Sequence, residues 1–223
     1  MQVNVLYRPS QTVAQCWLQP NESLMAESGA MMGMSTNVNM QTQSGGLMSG
    51  LKRLFGGESF FRNTFVAQGG QGEVLLTTPL CGDMTVLEVG AQQYYLQSSC
   101  YVGSSTGVDV QTQSGGFKGW FSGAGLFVLG TQGQGQVIVG SFGALEQLTV
   151  DGSMVIDTGH LVAWDATLQY SIGKASKSGW IASWLSGEGL VCHFQGQGTV
   201  WVQTRNPQEY GTTVGALLPP RQG

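Results

Sequence analysis

The sequence predicts an all-β fold built from three degenerate repeats, and a recurring turn-and-strand motif is the first reason. Residues 69–76, 132–139 and 195–202 each place a Gly/Gln turn before a short apolar strand, and the interval between successive copies is the same both times. A fixed period of this kind is the signature of a repeat architecture. A second motif agrees with it, because residues 38–46 recur as 108–116 and a weaker copy begins at Leu168.

The third observation is the density of strand signals. Apolar residues alternate with polar ones at Val3, Val5 and Tyr7 and again at Phe61 and Phe65, which is the period of a half-buried strand. Gly, Asn, Ser and Asp interrupt these runs at short intervals, a spacing typical of a β-sandwich or barrel. Glycine supplies the positive φ that tight hairpins require. We therefore expect a β-sandwich.

The motifs also predict the organisation of the chain. A single β domain covers residues 1–208, because all-β domains of this size are common. The tail has no strand pattern after Leu218 and carries two prolines, so we expect an extended or frayed arm there. The predicted segments are repeats at about 1–78, 79–143 and 144–208 and a C-terminal arm at 209–223.

Each repeat carries an insert between its constant strands, at residues 45–57, 115–123 and 174–187. Large apolar residues stand beside Lys or Arg in all three, and their spacing predicts one or two short helical turns. Two interpretations stay open: the inserts are caps that bury their Trp side chains in a core or subunit contact, or they form a surface that touches an anionic membrane or a protein partner. The candidate surface residues are Lys52, Arg53, Phe55, Lys118, Trp120, Lys177, Trp180 and Trp184.

Composition limits the partners of the chain. Charged residues make up 10% of the sequence, against about 25% in an average protein. A surface this poor in charge indicates that part of it is covered, which predicts a homo-oligomer. The net charge is −4 and the pI about 5.0, which disfavours a nucleic-acid partner because phosphate neutralisation supplies most of such affinity.

Targeting signals and cysteine usage predict a cytoplasmic protein, at most peripheral to a membrane. The first residues have neither a basic start nor an apolar run, and no stretch approaches the roughly 18 apolar residues of a membrane span. Four cysteines are scattered without close pairs, which argues against a zinc knuckle or a redox pair. Cys16, Cys100 and Cys192 lie in apolar settings, where a free thiol behaves as a small hydrophobe.

Motifs for chemistry are weak, and the sequence predicts no catalytic, cofactor-binding or metal-binding residues. The two histidines, His160 and His193, are far apart in the chain and form no His-X-His pair. The Gly/Gln turns lead into strands, whereas phosphate binding requires a helix N-terminus. We expect none of the Ser residues to be a catalytic nucleophile, because they lie in Gly-rich turns. We expect the acidic pairs to be solvated positions; they are Glu22 with Glu27, and Asp157 with Asp165.

Three further motifs carry a family resemblance that extends over nearly the whole chain. Residues 57–65 (GESFFRNTF), 27–31 (ESGAM) and 187–190 (GEGL) resemble the bacterial relatives of the altered-inheritance-of-mitochondria proteins. The resemblance implies a β-sandwich similar to the tryptophan RNA-binding attenuation protein, a fold of the double-stranded β-helix type, and a trimeric ring. It implies no established reaction and no catalytic residues. Mitochondrial relatives are associated with inner-membrane organisation.

These observations predict a non-enzymatic protein that acts as an oligomeric scaffold or binding protein, as a homotrimer and at a membrane surface. The alternative is a sensor that binds a small molecule between repeats or subunits. Because a fold does not determine a function, the two hypotheses stay open at this point.

Overall fold

The computed structural model describes residues 1–42, 62–113, 127–174 and 190–219, and these residues form antiparallel sheets with one short α-helix. The prediction of an all-β fold is confirmed. The predicted helical turns fall in the inserts and so lie outside the described residues. We keep the predicted limits of the repeats to group the strands; those limits themselves stay a prediction.

The strands recur in a similar order in the three groups. The first group contains β1 (Gln2–Leu6), β2 (Val13–Leu18), β3 (Ser23–Glu27), β4 (Met31–Met34), β5 (Val38–Thr42), β6 (Arg62–Ala67) and β7 (Gly72–Leu76). The second contains β8 (Met84–Val89), β9 (Tyr94–Gln97), β10 (Tyr101–Ser105), β11 (Val108–Thr112), β12 (Val128–Gly133) and β13 (Gly135–Gly140). The third contains β14 (Leu145–Asp157), β15 (Leu161–Asp165), β16 (Gln169–Lys174) and β17 (Leu190–Gln203). Two 3-10 turns, Ser98–Cys100 and Thr158–His160, precede β10 and β15.

The two larger sheets each combine strands of two repeats. One has the order β5-β6-β3-β10-β13-β8, with three strands from the first repeat and three from the second. The next has the order β11-β12-β9-β15-β17-β14, with three strands from the second repeat and three from the third, and β16 also pairs with β17. A smaller sheet, β1-β2-β7-β4, belongs to the first repeat alone. Neighbouring repeats are therefore joined by main-chain hydrogen bonds.

Three hydrophobic cores follow one another along the row of repeats. The first core is formed by the first repeat with Met84, Val102 and Ile138 of the second. The second core takes Val162 and Ala163 from the third repeat, and the third core takes Val128 from the second. Among the described residues, the first core contains none from the third repeat, and the third core contains none from the first. This order is that of a short stack, in which each repeat packs on its neighbours.

The same irregularity marks one strand of each repeat. The register shifts between Met31 and Gly33 in β4, between Tyr101 and Gly103 in β10, and between Leu161 and Ala163 in β15. These β-bulges recur at unequal intervals along the chain, because the inserts and turns differ in length. A bulge bends a strand and increases its twist, so each repeat curls at the same point.

The C-terminal segment differs from the prediction. A helix, α1, spans Pro207–Gly215, where we expected no regular element. The Asn206 side chain accepts hydrogen bonds from the backbone N–H groups of Gln208 (3.0 Å) and Glu209 (3.5 Å), and proline is favoured at the first position of a helix. Asn206-Pro207 is thus a start signal that the sequence analysis missed. Among the described residues, no helix has the length and apolar character needed to span a membrane.

Candidate functional site

The structure brings residues together where one repeat pairs with the next. We call the pairing of β3 with β10 the first seam and that of β9 with β15 the second seam. Ser104 lies opposite Met25 in the first seam, and Trp164 lies opposite Tyr95 in the second. Both seams therefore have the same backbone register, and their equivalent positions carry different side chains.

The first seam contains a polar cluster around the Tyr101 phenol. The Tyr101 Oη atom lies 2.9 Å from Ser104 Oγ and donates a hydrogen bond to the Met25 carbonyl oxygen at 3.3 Å. Burial raises the pKa of the Tyr101 phenol to about 12, although the Ser104 and Arg62 side chains act to lower it. Because buried polar groups are costly without partners, this network keeps the seam closed.

Glu27 lies beside this cluster, at the end of β3 and opposite Arg62 of β6. It is not the solvated position that we predicted: burial raises the pKa of its carboxyl group from about 4.5 to about 7. Its predicted partner Glu22 is engaged elsewhere, since it binds the N-terminal ammonium and the Gln19 backbone N–H. Glu27 is therefore a single carboxyl group that titrates near neutral pH.

The other acidic pair also has structural partners. Asp165 Oδ2 accepts a hydrogen bond from the backbone N–H of Thr199 at 2.8 Å. Asp157 Oδ1 accepts one from Gly159 at 2.7 Å, at the start of the second 3-10 turn. The expectation of purely solvated carboxylates is thus wrong for these residues as well, because each holds a backbone donor in place.

The second seam contains a cavity in place of the polar cluster. Its empty volume is about 200 Å³ including an open mouth, and its enclosed part is about the size of one water molecule. Residues of the second and third repeats line it in equal number: Gln97, Phe127, Val128, Thr158, Leu161 and Trp164. The cavity lies between repeats, which is where the sensor hypothesis expects a ligand.

Polar atoms at this cavity have no protein partner. Within the part of the chain that the structure describes, neither the Gln97 side-chain amide nor the Trp164 indole N–H makes a hydrogen bond. Gln97 is 3% exposed and Trp164 1% exposed. Trp164 is held by ring contacts with Tyr170 at 5.1 Å and Phe194 at 5.8 Å. Because native proteins rarely leave buried polar atoms unpaired, this cavity suits a water molecule or the polar end of a ligand.

Two strands that are equivalent to the seam strands, β4 and β14, each have an unpaired edge among the described residues. No described strand pairs with the second edge of β4, nor with that of the outer half of β14, residues 153–157. On β4, Met32 is 54% exposed and Met34 40% exposed. On β14, Val155 is 56% exposed. We call these two strand segments the open edges.

The eight candidate surface residues of the inserts lie outside the described residues, so the prediction of a basic and aromatic surface stays a prediction. Its members are Lys52, Arg53, Phe55, Lys118, Trp120, Lys177, Trp180 and Trp184. The structure does place both histidines. His160 Nδ1 lies 2.7 Å from the Gln203 carbonyl oxygen, and His193 lies in β17 between Val155 and Ser171. Among the described residues, no three His, Cys, Asp or Glu side chains are grouped to hold a metal.

The prediction for the cysteines is confirmed. Cys16, Cys100 and Cys192 are buried free thiols and Cys81 is exposed. Burial raises the pKa of each buried thiol to about 12. These three side chains are therefore neutral core groups, and a thiolate is the reactive form of cysteine.

Sequence reasoning missed Gln97, Trp164 and the open edges. The signal that could have found them is a second internal alignment: residues 27–31 correspond to 97–101 and 157–161. The offset of this alignment changes from one repeat to the next, whereas the Gly/Gln turns recur at a constant interval. A search at one fixed period therefore misses the strands that pair between repeats.

The described geometry defines a three-repeat all-β protein with sites at its repeat boundaries. The sequence model of the mitochondrial biogenesis AIM24 family matches residues 3–205. An uncharacterised protein of Streptococcus pyogenes serotype M6 is 33% identical over 214 residues, which are 91% of this chain and 85% of the relative. An X-ray crystal structure of a Streptococcus pyogenes protein superposes with a TM-score of 0.83 at 27% identity, covering 97% of this chain and 99% of that one.

The chain therefore belongs to the AIM24 family, and the predicted family resemblance is confirmed. The family match covers all the described strands except the start of β1. The match to a solved structure covers nearly the full length of both chains, so the repeats and seams belong to one shared architecture.

The first prediction concerns Glu27. Because its folded-state pKa is raised, its protonated form stabilises the fold below about pH 4.5, and this contribution is lost as the pH rises through about 7. Replacement by Gln removes the cost of ionising the group. We therefore expect the free energy of unfolding of Glu27→Gln to rise relative to that of the native chain as the pH increases from 4.5 to 8. The expected difference is about 1 kcal/mol, because solvent screens a partly exposed carboxyl group.

Urea unfolding at a series of pH values measures this difference. The matched control is Glu146→Gln, since Glu146 is an exposed carboxylate on β14. Stability curves of Glu27→Gln and the native chain that stay parallel across this pH range would contradict the assignment.

Proposed function

We propose that this protein is a non-enzymatic oligomeric scaffold or binding protein, with the trimer as its working form. The open edges carry the proposal. The unpaired strand β4 presents Met32 and Met34 to solvent, and an exposed apolar edge strand is a template for pairing with another chain. Low overall charge supports the same conclusion, because covered surfaces are depleted of charged residues.

The sequence analysis predicts no catalytic residues, which supports a binding role in place of a reaction. The histidines agree with this role, since His160 contacts a backbone carbonyl and His193 sits within a strand ladder. The protein would act by presenting surfaces. We place it in the cytoplasm.

The second prediction tests self-association. Light scattering of the native chain at micromolar concentration is expected to give three times the chain mass of 23.6 kDa. Met34→Lys places a charge at an open edge, which disfavours edge pairing, and is expected to scatter as a 23.6 kDa monomer. Met40→Lys is the matched control, because Met40 is 41% exposed against 40% for Met34 but lies on β5. A monomeric native chain would rule the proposal out.

Part of the proposed role is contact with an anionic membrane through the inserts. Their Lys and Arg residues stand beside Trp, Phe and Leu, and each basic residue near an anionic surface contributes about 1 kcal/mol. A shared basic face would act locally despite the negative net charge, since the Debye length at physiological salt is about 8 Å.

The third prediction is that the native protein floats with anionic vesicles more than with neutral ones, and that high salt weakens the binding. Changing Lys52→Glu together with Arg53→Glu is expected to reduce flotation several-fold, because two favourable charges become unfavourable. Equal flotation with both vesicle types would refute membrane contact while leaving the oligomer untouched.

A second candidate function, a small-molecule sensor, is favoured by the cavity of the second seam. Its unpaired polar atoms offer one acceptor from Gln97 and donors from Gln97 and Trp164. The polar end of an amide or a carboxylic acid matches this set, since each carries an acceptor oxygen. Because both repeats line the cavity, a bound ligand would stabilise their contact.

The fourth prediction tests the sensor. Native mass spectrometry of the purified protein is expected to detect a co-purified small molecule that Gln97→Leu loses. The variant also removes a buried unpaired amide, so its unfolding free energy in the absence of ligand is expected to rise by about 1 kcal/mol. Gln2→Leu, at an exposed position of β1, is the control. A native protein free of small molecules, with Gln97→Leu no more stable, would eliminate this candidate.

A further inference from the structure

The two open edges lie at opposite ends of the row of repeats. β4 belongs to the first repeat, and its residue Met31 packs on the first core. The outer half of β14 belongs to the third repeat, where Met154 and Ile156 pack on the third core. Among the described residues, the first core contains none from the third repeat and the third core none from the first, so the order of the repeats gives the chain a distinct head and tail.

Among the described strands, neither open edge has the neighbour that its equivalents in the other repeats have. β10 and β15 correspond to β4, because all three carry the same bulge. β10 is paired on its second edge by β3, and β15 by β9. The outer half of β14 corresponds to β3 and β9. Each of these strands pairs with the strand that follows the insert of its own repeat: β3 with β6, β9 with β12 and β14 with β17. The strand that would pair with β4 is thus an equivalent of β3 and β9, and the outer half of β14 is such a strand.

Exposure measures what the missing neighbour would cover. Val102 and Val162, the equivalents of Met32, are 1% and 0% exposed, against 54% for Met32. Ser104 and Trp164, the equivalents of Met34, are 0% and 1% exposed, against 40% for Met34. The same positions are therefore buried wherever the second strand is present.

Gly33 provides an independent observation. The equivalent residue Gly103 is crowded, because a Cβ atom there would lie 3.0 Å from both the Leu76 side chain and the Met25 carbonyl oxygen of the adjacent strand. A Cβ atom on Gly33 would meet only the Leu75 side chain at 3.9 Å. The third equivalent is Ala163. A small residue thus occupies this position in all three repeats, including the first, where none of the described strands lies close enough to require it.

From these observations we propose that β4 of one copy pairs antiparallel with the outer half of β14 of a second copy, head to tail. The register of the two seams places Gly33 opposite Ile156 and Met34 opposite Val155 of the neighbouring copy. The partner is a second copy of this chain because the chain already forms this pairing twice between its own repeats. A heterologous contact of this kind forms a ring when the rotation between copies closes, which is the case for the proposed trimer.

This inference rests on the proposed self-association and specifies its interface. The experiment uses the full chain in a Cys81→Ser background, because Cys81 is the exposed thiol among the described cysteines. Met34→Cys is introduced in one preparation and Val155→Cys in another, and the two are mixed, unfolded, refolded together and oxidised. The pair Met25→Cys with Ser104→Cys, opposite each other in the first seam, is the control for disulfide formation within one chain.

We expect a covalent dimer from the mixture at a yield at least several-fold above that of either preparation alone. The chain carrying both Met34→Cys and Val155→Cys is expected to give a ladder that ends at the ring. No cross-linking in a mixture that light scattering shows to be oligomeric would overturn this interface while the proposed scaffold stands. A disulfide within the doubly substituted chain, or cross-linking of Met34→Cys chains to each other, would also overturn it. Monomers throughout would refute both proposals.

Discussion

Every strand inside a sheet needs a hydrogen-bonding neighbour on each edge, because unpaired backbone N–H and C=O groups are costly away from water. The bulged strand of each repeat is the element on which this constraint acts. β10 and β15 meet it through β3 and β9, which join consecutive repeats into continuous sheets. β4 lies at the edge of its sheet, and no described strand pairs with its second edge. The repeats, their cores and the proposed assembly all follow from where this strand finds its second neighbour.

The seams use one backbone arrangement for different chemistry. In the first seam the Tyr101 phenol and the Glu27 carboxyl occupy the space between repeats. In the second seam the equivalent positions carry Leu161 and Gln97, and a cavity with unpaired polar atoms remains. Because the ladders hold both seams in register, side chains there can change without loss of the fold. Under the proposed sensor function, a ligand site would lie beside a purely structural contact.

Much of the fold could be predicted from local sequence. The Gly/Gln turns and alternating apolar residues predict strands because hairpin geometry and half-burial act over a few residues, and the strand at Gln2–Leu6 is one example. The seams could not be predicted, because Glu27 and Gln97 are buried by strands of another repeat. Exposure of Met32 depends in the same way on a neighbouring strand, and none of the described strands takes that place. Helix α1 was missed for a different reason, since Asn206-Pro207 is a start signal without a following apolar pattern.

Hydrogen exchange of β4 tests most directly the claim that this strand needs a neighbour from another copy. Among the described strands, β7 pairs with one edge of Met31–Met34 and nothing pairs with the other, so we expect the amides on that other edge to exchange rapidly in the monomer. We expect the β4 peptide to reach the protection of the β10 peptide in the oligomer, and dilution to the monomer to remove that protection. Rapid exchange of β4 at every protein concentration, with β10 fully protected, would contradict the claim.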